Sequence, residues 1–82
     1  MNLARTEAEI RTWLIEALAS ELELDRSELK TDVPFDEYGL GSVSAVGISG
    51  DLGDFLGQDF PGTLLYEYLT IDDLSQHLAG QS

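Results

Sequence analysis

Apolar residues recur along the first quarter of the chain with the spacing of one helical face. Ile10, Trp13, Leu14, Ala17 and Leu18 fall at i, i+3, i+4, i+7 and i+8, the signature of a single buried stripe. Thr6 with Glu9 three residues later has the form of a capping box, so a helix is expected from Thr6 until the stripe fades after Leu22. Asp25 to Lys30 suits a short turn, and Thr31-Asp32-Val33-Pro34 breaks any helix because the residue before proline avoids helical dihedrals. A long loop then ends in Tyr38-Gly39-Leu40-Gly41. Ser42 stands where an N-cap is wanted, and Val43, Val46, Leu52, Phe55 and Leu56 continue from it as a second apolar stripe. Gly47, Gly50 and Gly53 weaken this second helix, each by about 0.5–1 kcal/mol relative to alanine, and packing against the first helix has to offset that loss.

After Gly57 a loop through Phe60-Pro61-Gly62 leads to Thr63-Leu64-Leu65-Tyr66, enough for one helical turn. Thr70 caps a last helix, with Asp72 and Asp73 in its first turn and Ile71, Leu74 and Leu78 facing inward, and Gly80 ends it. No segment alternates with period two for long enough to form a strand. The pattern predicts an all-α fold, a small four-helix bundle of three main helices plus a short one, in one domain spanning 1–82. The first and second helices are expected to supply most of the core through Trp13, Leu14, Leu18, Val46, Leu52 and Phe55.

Composition supports folding: an apolar fraction of 43% in 82 residues is enough for one small core and too high for a disordered tail. With no cysteine, neither disulfides nor thiolate metal sites are available. No apolar run approaches a membrane span, and Glu7 and Glu9 stand where a signal peptide would be basic, so a cytoplasmic protein is expected. The net charge is −12, and its distribution is lopsided: Arg5, Arg11, Arg26 and Lys30 are the only basic residues, and all lie in the first thirty positions. A surface of this sign repels nucleic acid and anionic lipid and attracts basic protein patches. Acids that merely keep a small domain soluble are the plainer alternative.

The catalytic inventory is thin. His77 is the only histidine, and its place on a terminal helix beside Gln76 suits a surface residue better than a general base. Gly47-Ile48-Ser49-Gly50 misses the G-x-S-x-G spacing, and Gly39-Leu40-Gly41 is followed by Ser44 where a dinucleotide motif needs glycine. Asp51 and Asp54 are three apart, which does not make a calcium loop. What remains is Ser42, preceded by glycines at a helix start. The residues alone leave two readings of it open: a helix cap, or a point where a phosphate ester gains from free N–H groups and the helix dipole.

The stretch Phe35-Asp36-Glu37-Tyr38-Gly39-Leu40-Gly41-Ser42-Val43-Ser44-Ala45-Val46 resembles the attachment segment of acyl carrier proteins, especially carrier domains of polyketide synthases. Gly39-Leu40 matches the family pattern, Ser42 falls on the modified serine, and Val43 replaces the usual leucine; Asp51-Leu52, Phe60-Pro61 and the segment from Thr70 also agree. The resemblance implies a non-catalytic carrier. Its 4'-phosphopantetheine arm, transferred from coenzyme A to Ser42 by a phosphopantetheinyl transferase, would hold acyl groups as thioesters. It further implies an acyl-loading enzyme (an acyltransferase or a fatty acyl-AMP ligase) and a ketosynthase as partners, with Gly41, Val43, Val46, Asp51 and Leu65 as docking positions. Two positions depart from the family: Gly41 replaces the common aspartate before the serine, and Gly47 stands where many carriers have glutamate, so negative charge is missing from the usual docking surface. A peptidyl carrier of a peptide synthetase shares fold and serine but has a different context around Gly-Gly-x-Ser. An acidic interaction module would need no modification of Ser42.

Overall fold

The computed structural model describes residues 5–80, and among these the regular structure is entirely helical. Helix α1 spans Glu7–Leu22, α2 Ser42–Leu56, α3 Leu64–Glu67 and α4 Ile71–Gly80, with 3₁₀ turns at Arg26–Glu28 and Phe35–Tyr38. This is the expected bundle of three main helices and a short one.

Helix α1 starts as its sequence dictates. The Glu9 amide donates to Thr6 Oγ1 at 3.1 Å, and the Thr6 amide donates to Glu9 Oε1 at 2.9 Å, so the box satisfies two N–H groups at the helix start. Donation to the Glu9 carboxyl from the Thr6 amide, then from the Thr6 side chain, helped by the Arg5 guanidinium, holds that carboxyl below its ordinary value. At the other end Glu23 adopts the left-handed conformation, with φ 55°, a geometry that glycine reaches without a Cβ penalty. Helix α4 begins as predicted too, with the Asp73 amide donating to Thr70 Oγ1 at 3.0 Å.

The long loop is fixed at several points. Tyr38 Oη accepts from the Lys30 amide at 2.6 Å and donates to the Lys30 carbonyl at 3.2 Å. The Asp72 amide donates to the Thr31 carbonyl and the Phe35 amide to the Leu69 carbonyl, so the loop is tied at Thr31 and at Phe35 to the segment around the start of α4. Phe35 and Leu29 are buried, which makes the loop a core element and gives α2 a defined starting point.

The core takes Ile10, Leu14 and Leu18 from α1, Ala45, Ile48 and Leu52 from α2, Leu64 and Leu65 from α3, and Ile71, Leu74 and Leu78 from α4. Helix α1 packs most closely with α4, and α2 with α3, so the core is shared by all four helices and is not chiefly an α1–α2 product. Arg11 spans the first of these pairs, lying 2.5 Å from Glu7 and 3.5 Å from Asp72.

Helix α2 is rotated relative to the stripe its valines suggested. Its buried face is Ala45, Ile48, Ser49, Leu52 and Gly53, while Val43 is 85% and Val46 51% exposed. Three of these, Ala45, Ser49 and Gly53, are small residues at i, i+4 and i+8. At Gly53 the small size is obligatory, because a Cβ there would lie 2.5 Å from the Gln58 carbonyl oxygen. Trp13 and Phe55 are only partly buried and stack on each other at 5.6 Å.

Candidate functional site

Ser42 is the first residue of α2, one position inside the expected cap, and Gly41 is the N-cap. A glycine offers no side chain for capping and none is bonded there. The ladder begins with the Ala45 amide donating to the Gly41 carbonyl at 2.9 Å. The amides of Ser42, Val43 and Ser44 therefore precede the first intrahelical bond. No acid stands in this first turn, so nothing in the helix itself opposes a negative group at its positive end. Gly39 closes the preceding 3₁₀ turn with φ 79°, a conformation suited to glycine, and thereby turns the chain into α2. Ser42 is exposed, and around Gly41 a Cβ would meet nothing within 4 Å.

The other serines of α2 are differently placed. Ser49 is fully buried and donates to the Ala45 carbonyl at 2.9 Å. Ser44 is half-buried and donates to Glu21 Oε2 at 2.9 Å. Only Ser42 combines exposure with the helix start. The chemistry available is that of an accessible hydroxyl beside uncapped amides. Those amides fit a phosphodiester: they offer donors at the positive helix end, where the ester oxygens would sit.

Val43 and Val46 place exposed apolar side chains on α2 close to Ser42. The four exposed large hydrophobic residues among those described are Val43, Val46, Tyr66 and Leu69, drawn from α2, α3 and the link to α4. A cleft of about 80 Å³ beside Tyr66 and Leu69 is lined by these two with Phe35, Asp36, Leu40, Ala45 and Leu65. Gly62 presses its backbone toward Val46, since a Cβ there would meet Val46 Cγ2 at 3.2 Å. Among the expected docking positions, Gly41, Val43, Val46 and Asp51 are exposed. Leu65, by contrast, is 2% exposed: it belongs to the core and lines the cleft, because the single turn of α3 buries both leucines to hold itself against α2. Tyr66, which the sequence pattern did not single out, takes the exposed place. A larger open groove of about 700 Å³ runs along α1 past Trp13, Ala17 and Phe55 and includes no residue near Ser42.

His77 is half-buried and stacks on Tyr68 at 4.0 Å. No cluster of ligating side chains suited to a metal is present among the described residues, and no described helix is long and apolar enough to cross a membrane.

Comparison with known proteins decides what this arrangement belongs to. The family described as phosphopantetheine attachment site matches residues 12–78. The chain is a member of that carrier family. Acyl carrier protein TtuC of Teredinibacter turnerae is 32% identical over 76 residues, covering 93% of this chain and 87% of that protein. Polyketide synthase PksM of Bacillus subtilis is 33% identical over 78 residues, covering 95% of this chain but only 2% of the synthase. A phenolphthiocerol/phthiocerol polyketide synthase polypeptide of Mycobacterium tuberculosis is 35% identical over 79 residues, and this chain spans only 4% of its length. The carrier fold is equally plain in a free-standing peptidyl carrier protein from Acinetobacter baumannii, with a TM-score of 0.88 and 30% identity over 93% of this chain and 95% of that one. Carriers of this family bear substrate and are not themselves catalysts; their cofactor is phosphopantetheine.

Proposed function

We propose that this domain carries acyl intermediates of a polyketide synthase or related assembly line, as thioesters on a phosphopantetheine arm attached to Ser42. The observation that carries the assignment is the contrast among the three α2 serines, of which Ser42 alone is exposed at the helix start. A phosphopantetheinyl transferase would use the Ser42 hydroxyl as acceptor and coenzyme A as donor. The ester then lies where the Ser42, Val43 and Ser44 amides and the helix dipole favour its charge. When bound, the arm supplies the terminal thiol on which acyl groups travel, in a chain that has no cysteine of its own.

The positions flanking Ser42 support docking through a largely apolar face. Val43 and Val46 present side chains beside the attachment point, and Asp51 adds charge further along α2. Loading by a fatty acyl-AMP ligase is the reading we favour, because Gly41 takes the place of the aspartate that commonly precedes the serine. The peptidyl carrier likeness supports an amino-acid-charged alternative. The two are separated by presenting the phosphopantetheine form with a fatty acyl-AMP ligase and, in parallel, with an adenylation domain from a peptide synthetase. Fatty acyl thioester formed with the ligase alone upholds the acyl reading, and aminoacyl thioester formed with the adenylation domain alone replaces it.

A further inference from the structure

The first turn of α2 carries no acid, and Gly41 before it adds none. A carboxylate nevertheless reaches this turn from another helix. Ser44 Oγ donates to Glu21 Oε2 at 2.9 Å, across 23 residues of chain. Glu21 lies in the last turn of α1 and is exposed. The arginines are committed elsewhere: Arg5 to Glu9, Arg11 to Glu7 and Asp72, and Arg26 to Glu16. Among the described residues no ion pair neutralises Glu21. Ser44 is two residues on from Ser42 in the same first turn, so the carboxylate reaches the turn that carries Ser42.

We propose that Glu21, held in place by Ser44, is the acidic recognition group for the enzyme that modifies Ser42, pairing with a basic side chain of the transferase as the serine enters its site. The inference rests on Ser42 being the attachment point. The positive end of α2 disfavours an approaching cation; the carboxylate delivered by α1 joins the exposed Asp36 and Glu37 of the preceding turn in countering it, and it does so without occupying the first-turn amides that the phosphodiester needs. Neither the position nor the pairing is visible in the attachment segment itself. Glu21 acts here as a positioning residue, steering a partner of opposite charge.

The test is steady-state phosphopantetheinylation by a broad-specificity phosphopantetheinyl transferase with coenzyme A and magnesium, measured on the whole chain. Variants are Glu21→Gln, Ser44→Ala, and Asp59→Asn as a control. Asp59 lies beyond the far end of the 15-residue α2, about 22 Å of helix away from Ser42. Glu21→Gln keeps an acceptor for Ser44 and should lower kcat/KM about three- to fivefold, the size of one exposed ion pair, through KM and not kcat. The deficit should vanish as salt rises from about 0.1 M to about 1 M. Ser44→Ala should lose about twofold, and Asp59→Asn should match the parent. Equal rates for Glu21→Gln and the parent would overturn the proposal, as would a deficit that persists at high salt or is shared by Asp59→Asn. A parent chain that is not modified at Ser42 removes the carrier assignment of that serine and this proposal with it.

Discussion

Gly53 and Gly47 lie on the same helix, and substituting each by alanine should have opposite consequences. In either case alanine removes a glycine from a helix interior, a gain of about 0.5–1 kcal/mol. At Gly47 nothing lies within 4 Å of the new methyl, so the gain is realised. At Gly53 the methyl would sit 2.5 Å from the Gln58 carbonyl oxygen and 3.7 Å from the Phe60 ring. The first contact is backbone and cannot swing aside. It can be relieved only by moving the turn in which the amides of Gly57 and Gln58 both donate to the Gly53 carbonyl. Overpacking a tight site costs about 1–3 kcal/mol, and each loosened hydrogen bond about 0.5–1.5 kcal/mol. The net effect of Gly53→Ala should be a loss of about 1–5 kcal/mol after the helix gain is deducted, lowering Tm by roughly 4–8 °C for each kcal/mol in a domain of this size. Gly47→Ala should raise Tm by roughly 3–8 °C. Thermal and urea unfolding followed by far-UV circular dichroism measures both. Parallel stabilisation by the two substitutions would refute the argument that Gly53 is held by close approach.

Glu23→Gly should stabilise the domain by about 0.5–1 kcal/mol in urea unfolding, because glycine relieves the left-handed strain at φ 55°; a clear loss would show that Glu23 does something its geometry does not reveal. Glu9 has a folded pKa below its ordinary value of 4.5, so its ionised form contributes stability that is present above that value and is lost as pH falls through the lower, folded pKa. The Tm gap between the parent and Glu9→Gln should therefore be open at neutrality and close in acid, and a gap that widens in acid contradicts the cap assignment. Val43→Ala removes a side chain that is 85% exposed, so stability should change by no more than about 0.5 kcal/mol while acyl loading slows; unchanged loading kinetics would strip Val43 of a docking role.

What the sequence reveals follows from the range over which each signal acts. The starts of α1 and α4 are legible because Thr6 with Glu9, and Thr70 with the acids after it, act within three residues. The inward face of α4 is legible because Ile71, Leu74 and Leu78 mark it, although the equally buried Ser75 gives no such signal. Helix α2 reads with the wrong rotation. Val43 and Val46 suggest core on hydrophobicity alone, whereas the true inner face uses Ala45, Ser49 and Gly53, and the small size of Gly53 matters only once the Gln58 backbone is in place. The cap shifts by one residue because glycine carries no capping side chain to advertise the position. The contact between Glu21 and Ser44 joins distant segments and has no local signature. Ser42 itself stands out through its Gly39-Leu40-Gly41 approach, and the structure adds the accessibility that its neighbours lack.

The central claim is that Ser42 bears the arm, and intact-protein mass spectrometry after incubation with coenzyme A and a phosphopantetheinyl transferase tests it directly. The parent, Ser44→Ala and Ser49→Ala should each gain one phosphopantetheine. Ser42→Ala should remain helical, since Gly41 and not Ser42 is the N-cap, and should gain none. Modification of Ser42→Ala at the parent's level would contradict the assignment of the serine, and absence of the adduct from all four proteins, with a known carrier modified in the same reaction, would contradict the account as a whole.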